Sequence, residues 1–181
     1  MQTLTEALDR FAGKKLVAET MHSEVGFTVR HLGLSKVRGR FNRFDATVAV
    51  GDDLSTTTIE ANVELASVDT NNEDRDNHLR STDFFGVEAN PLMTFRSTSI
   101  EAERIVGDLT INGTTRSVEF DFEFHGVATD AYEMTRAGFS ASGQITRSQF
   151  GIDFNAPLGM DGMLIGDKVN IELEIQLVEA P

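Results

Sequence analysis

The sequence predicts a mainly β fold, one antiparallel sheet closed into a barrel, preceded by a short helix. Three observations carry this expectation. Apolar residues alternate with polar ones, with a period of two, in several separate stretches. Turn-forming dipeptides punctuate the chain at short intervals. Only two short segments break the β pattern, and no linker, low-complexity tract or repeat divides the chain. Closure into a barrel removes the exposed edges that an open sheet would present; a sandwich is the alternative. All 181 residues are read as one domain, with the barrel spanning about 14–179.

Taken in order, Thr3 and Glu6 stand at capping-box spacing, and Leu4, Leu8 and Phe11 share a helical face before Gly13, which predicts a helix over 3–12. The pattern then turns to strands. In HSEVGFTVRH, Ser23, Val25, Phe27, Val29 and His31 share one face. In RFNRFDATVAV the apolar phase slips between Phe41 and Phe44, the mark of a bulge or bend. IEANVELAS sets Ile59, Ala61, Val63 and Leu65 against Glu60, Asn62 and Glu64; VEFDFEFH sets Val118, Phe120, Phe122 and Phe124 against Glu119, Asp121, Glu123 and His125. In the final strand Val169, Ile171, Leu173, Ile175 and Leu177 take one face. These are half-buried strands, wet on one side. Turns are expected at Gly51-Asp52-Asp53, Asn112-Gly113, Thr129-Asp130 and Asp161-Gly162, and bulges, turns or tight bends at Gly107, Gly113, Gly143 and Gly151. Between two strands, residues 73–85 read as a helical segment with Leu79 inward.

Composition narrows the function. The formal net charge is −13, a field that repels phosphate backbones and anionic headgroups, so nucleic acid and electrostatic membrane binding are disfavoured. Thirteen Phe against one Tyr and no Trp supply apolar area without polar handles, which hints at a dry interior. The absence of Cys removes disulfides, thiolate zinc sites and cysteine nucleophiles. No window reaches the length of a membrane-spanning helix, and the first residues carry no secretory pattern, so the chain as written reads as cytoplasmic, or periplasmic or secreted if a leader was removed.

The densest run of reactive side chains is DTNNEDRDNHLRSTDFF, residues 69–85. As a calcium loop starting at Asp69 it fails, because the required Gly and Glu are Asp74 and Arg80. Histidines 22, 31, 78 and 125 are scattered, with no metal-binding spacing, and there is no nucleophile elbow, phosphate loop or dinucleotide fingerprint. No metal and no catalytic residue is assigned. The carboxylates read as a solvated helix face, with Asp74 beside Arg75 in a structural role. An enzyme acting on a lipid-like substrate through His31, His78 and these carboxylates is kept as the alternative.

Five stretches in fixed order, HSEVGFTVRHLGLSKVRGRF (22–41), SVDTNNEDRDNHLRSTDFF (67–85), NPLMTFRSTSI (90–100), GDLTINGTTRSVEF (107–120) and ITRSQFGID (145–153), resemble the YceI-like family over residues 16–178. The resemblance implies an extended, lipocalin-like barrel of about eight strands holding an isoprenoid or other lipid-like tail, for carriage or storage rather than a reaction. Many members carry a leader, which this chain does not show, and an aromatic that often opens the first strand is Leu16 here. An eight-stranded barrel has room for one small ligand or its own side chains. The expected lining is Val25, Phe27, Val29, Phe41, Val63, Leu65, Phe95, Leu109, Phe120, Phe122, Phe139, Ile145, Leu173 and Ile175, with Leu79, Phe84 and Phe85 turned inward. His31, Arg75 and His78 are assigned to the mouth, holding the helical segment or meeting a polar headgroup. The expected ligand is a long-chain polyisoprenoid or isoprenoid-quinone-like lipid, with no other cofactor required, no nucleic acid, no stable membrane insertion, and a homodimer as a possibility.

Overall fold

The computed structural model describes residues 3–155 and 165–181. The first element is helix α1, Leu4–Phe11. Its capping box closes as the spacing predicts: Thr3 Oγ1 accepts from the Glu6 amide, and Glu6 Oε2 accepts from the Thr3 amide at 2.7 Å. The amphipathic turn buries Ala7 and Phe11.

Strands β1 (Lys15–Ala18), β2 (Glu24–His31), β3 (Ser35–Phe41), β4 (Phe44–Ala49), β5 (Thr58–Glu64) and β6 (Val68–Asp69) precede helix α2 (Glu73–Arg80). Strands β7 (Leu92–Glu101), β8 (Arg104–Ile111), β9 (Thr114–Thr129), β10 (Thr135–Thr146) and β11 (Ile165–Glu179) follow. All pairings are antiparallel, in the order β1-β4-β5-β7-β8-β9-β10-β11, and β11 pairs back to β1 to close an eight-stranded barrel. β11 also pairs with β2, which carries β3 and β6. The expected barrel is therefore the observed one, and the sandwich is excluded.

Three neighbouring strands of the barrel wall are each split. A 3-10 turn at Thr20–His22 separates β1 from β2, Asn42 and Arg43 separate β3 from β4, and a 3-10 turn at Leu65–Ser67 separates β5 from β6. The phase slip between Phe41 and Phe44 is this break. Ser67 holds it: its carbonyl accepts from the Asn42 amide, its Oγ accepts from the Arg43 amide, and the Glu64 amide donates to the Arg43 carbonyl.

Asn112 (φ 53°) and Gly113 (φ 73°) both adopt the left-handed conformation that a two-residue hairpin requires. Gly151 ends the 3-10 turn Arg147–Phe150 in the same conformation. Gly107 pairs with Ser97 beside the register shift between Ser97 and Ser99, and it shares a further feature with Gly143. With Gly39 they lie under aromatic rings: a Cβ at Gly39 would collide with Phe27, at Gly107 with Phe95, and at Gly143 with the Glu119 carbonyl and Phe120. Glycine here lets a phenyl ring fold flat against the inner wall instead of filling the centre. The Asp161-Gly162 turn lies outside the described residues. The expected helical segment 73–85 is helix only to Arg80; Ser81 leaves helical geometry and a run of turns follows.

Candidate ligand-binding lumen

The inner faces of the strands enclose three apolar cavities in a row. The central one, about 110 Å³, is walled by residues such as Val25, Val63, Phe95, Leu109, Phe120, Phe139, Leu173 and Ile175. A second, about 120 Å³, lies at the α2 end between Val25, Phe27, Val29, Phe41, Leu79, Phe84, Phe85 and Ile145. A third, about 80 Å³, lies at the α1 end, where Leu4, Leu8 and Phe11 face Phe122 and Phe139. Neighbouring cavities share walls: Val25, Met93 and Ile171 stand between the first two, and Val48, Ile59, Ile105, Phe139 and Leu177 between the first and third. Along β10 the row runs from Ile145 to Ala137. At ~3.4 Å per residue that is about 27 Å of strand, or roughly 20 Å along a barrel axis after the usual tilt.

Phe27, Phe95, Phe122, Ile171 and Leu173 point inward and yet are only half-buried. They pack against the core cluster on one side and border the cavities on the other. Aromatic contacts continue along its length: Phe27–Phe41 at 5.5 Å and Phe41–Phe85 at 5.9 Å at the α2 end, Phe95–Phe120 at 5.7 Å in the middle, and Phe122–Phe139 at 5.4 Å near α1. Apolar cavities of this size stay dry and accept apolar guests, because a water inside would lack hydrogen-bond partners.

Helix α2 closes one end through a polar hinge. Asp76, buried, accepts from the Thr70 amide at 2.9 Å and from its hydroxyl, while Arg75 donates to Thr70 Oγ1 at 2.7 Å and to the Thr70 carbonyl at 2.6 Å. The structural carboxylate is thus Asp76, not Asp74. Arg80 donates to the carbonyls of Ala66 and Val68, tying the helix to the third wall break. This hinge turns Leu79, Phe84 and Phe85 into the lumen, as expected.

Four of the sequence-named residues do not line a cavity. Leu65 is wholly buried, but it begins the 3-10 turn, where the alternation stops, and packs into solid core. His31 is exposed at the end of β2. Arg75 is exposed and spent on Thr70. His78 is exposed; its Nε2 lies 2.8 Å from Asp83 Oδ2, and its ring packs edge-on against Phe84 and Phe154, each at 5.0 Å. Arg75 and His78 therefore hold the helical segment. Among the described residues no group of three His, Asp or Glu side chains is disposed to hold a metal.

Sequence reasoning missed several wall residues. Met93, two residues before Phe95 on β7, was discoverable by alternation, as were Ile59 and Ile171. Arg147 was not, because nothing in a strand pattern predicts an arginine inside. It is 6% exposed at the wall of the α2-end cavity and donates to the carbonyls of Gly166 (2.9 Å), Ile152 (2.8 Å), Phe154 (3.0 Å) and Ile165 (3.3 Å). Burial pushes its guanidinium pKa down, while Asp167 and Asp153 hold it up.

The YceI-like domain model matches residues 16–177. The chain belongs to the YceI-like family. A UPF0312 protein of Staphylococcus epidermidis is 43% identical over 157 residues, covering 85% of this chain and 91% of that protein. A UPF0312 protein of Staphylococcus aureus is 41% identical over 154 residues, covering 83% and 90%. The crystal structure of the Campylobacter jejuni YceI protein superposes with a TM-score of 0.70 at 30% identity, covering 84% of this chain and 90% of that one. A polyisoprenoid-binding domain from Saccharophagus degradans, implicated in plant cell wall breakdown, shares the fold with a TM-score of 0.69 at 12% identity, covering 92% and 98%.

Proposed function

We propose that this YceI-like protein binds one long, thin apolar molecule, of the isoprenoid or isoprenoid-quinone class, along its lumen, and carries or stores it. The row of three apolar cavities with shared walls carries the reading. A row about 20 Å long suits an extended chain and wastes its length on a compact ligand. Each five-carbon unit moved from water into such a lumen contributes about 4 kcal/mol, so a few units bind tightly without polar recognition. Val25, Met93 and Ile171 stand between the α2-end and central cavities and must give way for one chain to run through both. Met is suited to that, being unbranched and rotamer-rich. The Saccharophagus domain supports the reading at the level of the fold. No reaction is assigned: the His78–Asp83 pair lies on the exposed side of α2 and packs against phenylalanines rather than against a nucleophile.

The test is organic extraction and mass spectrometry of gently purified protein, paired with Ala141→Phe, which fills the central cavity. The wild-type chain should release a long-chain lipid in near-stoichiometric yield, and a folded Ala141→Phe protein should release little. Wild-type protein that is empty and takes up no added polyprenol or quinone rejects the reading.

A further inference from the structure

We propose that the β2–β3 hairpin is a docking finger for an anionic lipid surface. The overall charge conceals it. Between Glu24 and Asp45 there is no Asp or Glu, while Arg30, Lys36, Arg38, Arg40 and Arg43 all fall there, in a chain whose net charge is −13. The register explains where they go. Val25, Phe27 and Val29 of β2 face the lumen, and Val29 pairs with Val37 and Phe27 with Gly39. The alternate positions Arg30, Lys36, Arg38 and Arg40 therefore stand together on the outer face, and all four are exposed. Arg30 and Lys36 are directly opposite one another across the ladder. Like charges in that position repel. Among the described residues Arg30, Lys36 and Arg38 make no ion pair, and Arg40 has only Asp69, at 4.0 Å.

The tip supplies the second observation. The Leu34 amide donates to the His31 carbonyl, closing a β-turn whose central residues Leu32 (φ 56°) and Gly33 (φ 68°) are both left-handed. Asn, Asp or Gly suits the first of these positions, whereas a leucine is strained there. Yet Leu32 stands at that position 38% exposed, and Leu34 beside it is 79% exposed. Two apolar side chains, one on a strained backbone, are held out into water at the end of a basic hairpin. An interface that is apolar below and anionic above accommodates both: the leucines enter the acyl boundary while the cations meet phosphate. The barrel's acidity does not prevent this, because at ~0.1 M salt charges beyond about 10 Å are screened and the hairpin's own cations govern contact. His31 of the same hairpin pairs with Ile165, a wall of the α2-end cavity, so docking sets that end of the lumen beside the bilayer. The docking surface does not depend on what the lumen holds.

Co-sedimentation of the full chain with vesicles tests it. Binding is expected to vesicles of phosphatidylcholine and phosphatidylglycerol in equal parts, weaker binding to phosphatidylcholine alone, and loss on raising sodium chloride. Replacing Arg30, Lys36 and Arg38 together by Gln should weaken binding about a hundredfold, at about fivefold per cation. The L32N/L34S variant should weaken it at least tenfold while its thermal midpoint holds or rises, since Asn suits the left-handed position. The proposal is overturned if wild-type protein does not sediment with the mixed vesicles at low salt, or if either variant sediments as wild type does. Tighter capture of single-stranded DNA than of the mixed vesicles also overturns it, making the strip a general polyanion site. Lipid extracted from the same preparations reports on the lumen separately.

Discussion

Arg147 shows how much structure one buried side chain can hold together. Its guanidinium is enclosed by four backbone carbonyls that join the 3-10 turn Arg147–Phe150 to the following chain and to the start of β11. Arg147→Met keeps the volume and leaves those carbonyls without donors, a cost of about 3 kcal/mol. At this chain length the thermal midpoint should fall by about 10 °C in calorimetry. Gly39 makes the opposite case. Gly39→Ala puts a methyl group where the Phe27 ring lies, so the ring must swing into the lumen. A loss of about 1–3 kcal/mol in urea unfolding is expected, together with a smaller yield of extracted lipid. A neutral Gly39→Ala protein would show that the ring has free space and that the glycine is incidental.

At the scale of elements, α2 is a cap rather than a site. Its sequence is almost wholly polar, and it stays in place because Asp76 and Arg75 both grip Thr70 while Arg80 reaches Ala66 and Val68. Asp76→Ala leaves the Thr70 amide and hydroxyl without their acceptor, and about 2 kcal/mol is the expected loss. Because Leu79, Phe84 and Phe85 follow the helix, hydrogen exchange should rise across 70–87 before the barrel strands respond. Uniform acceleration across the whole sheet would show that α2 is part of the main cooperative unit. The run 69–85 thus resolves into helix cap, hinge and aromatic wall, and its acidic look comes from the solvated side of a lid.

At the scale of the molecule, charge sets the response to acid. Four carboxyls are held below the usual carboxylate range: Asp53 first by the Ser55 hydroxyl, Asp69 by the Asn71 amide, Asp130 by the Met134 amide and Asp167 by the Ser148 hydroxyl. A depressed folded pKa stabilises the fold above the unfolded value near 3.9, and that contribution disappears as pH falls through the folded values. Urea midpoints should therefore change little between about pH 5 and pH 8 on account of these groups and drop below about pH 4. A midpoint that rises on acidification past that point would contradict the assignment.

Period-two alternation in four stretches, the capping box of Thr3 and Glu6, and the Asn112-Gly113 turn are local rules, and the sequence alone sufficed to determine β2, β5, β9, β11, α1 and much of the apolar wall. Phe120, Phe122, Leu173 and Ile175 face inward because alternation leaves them no other choice once one face is buried. What local rules do not contain was decided by tertiary contacts. Two of the neighbouring wall breaks are joined by Ser67 reaching across to the Asn42–Arg43 pair, and the break after β5 removes Leu65 from the lumen although the pattern places it there. Arg147 is inside because carbonyls from separate segments converge on it. The hairpin's cations stand together because register brings Arg30 opposite Lys36. Periodicity reports which way a residue points. Only the closed barrel decides whether it meets packed core, empty lumen or water.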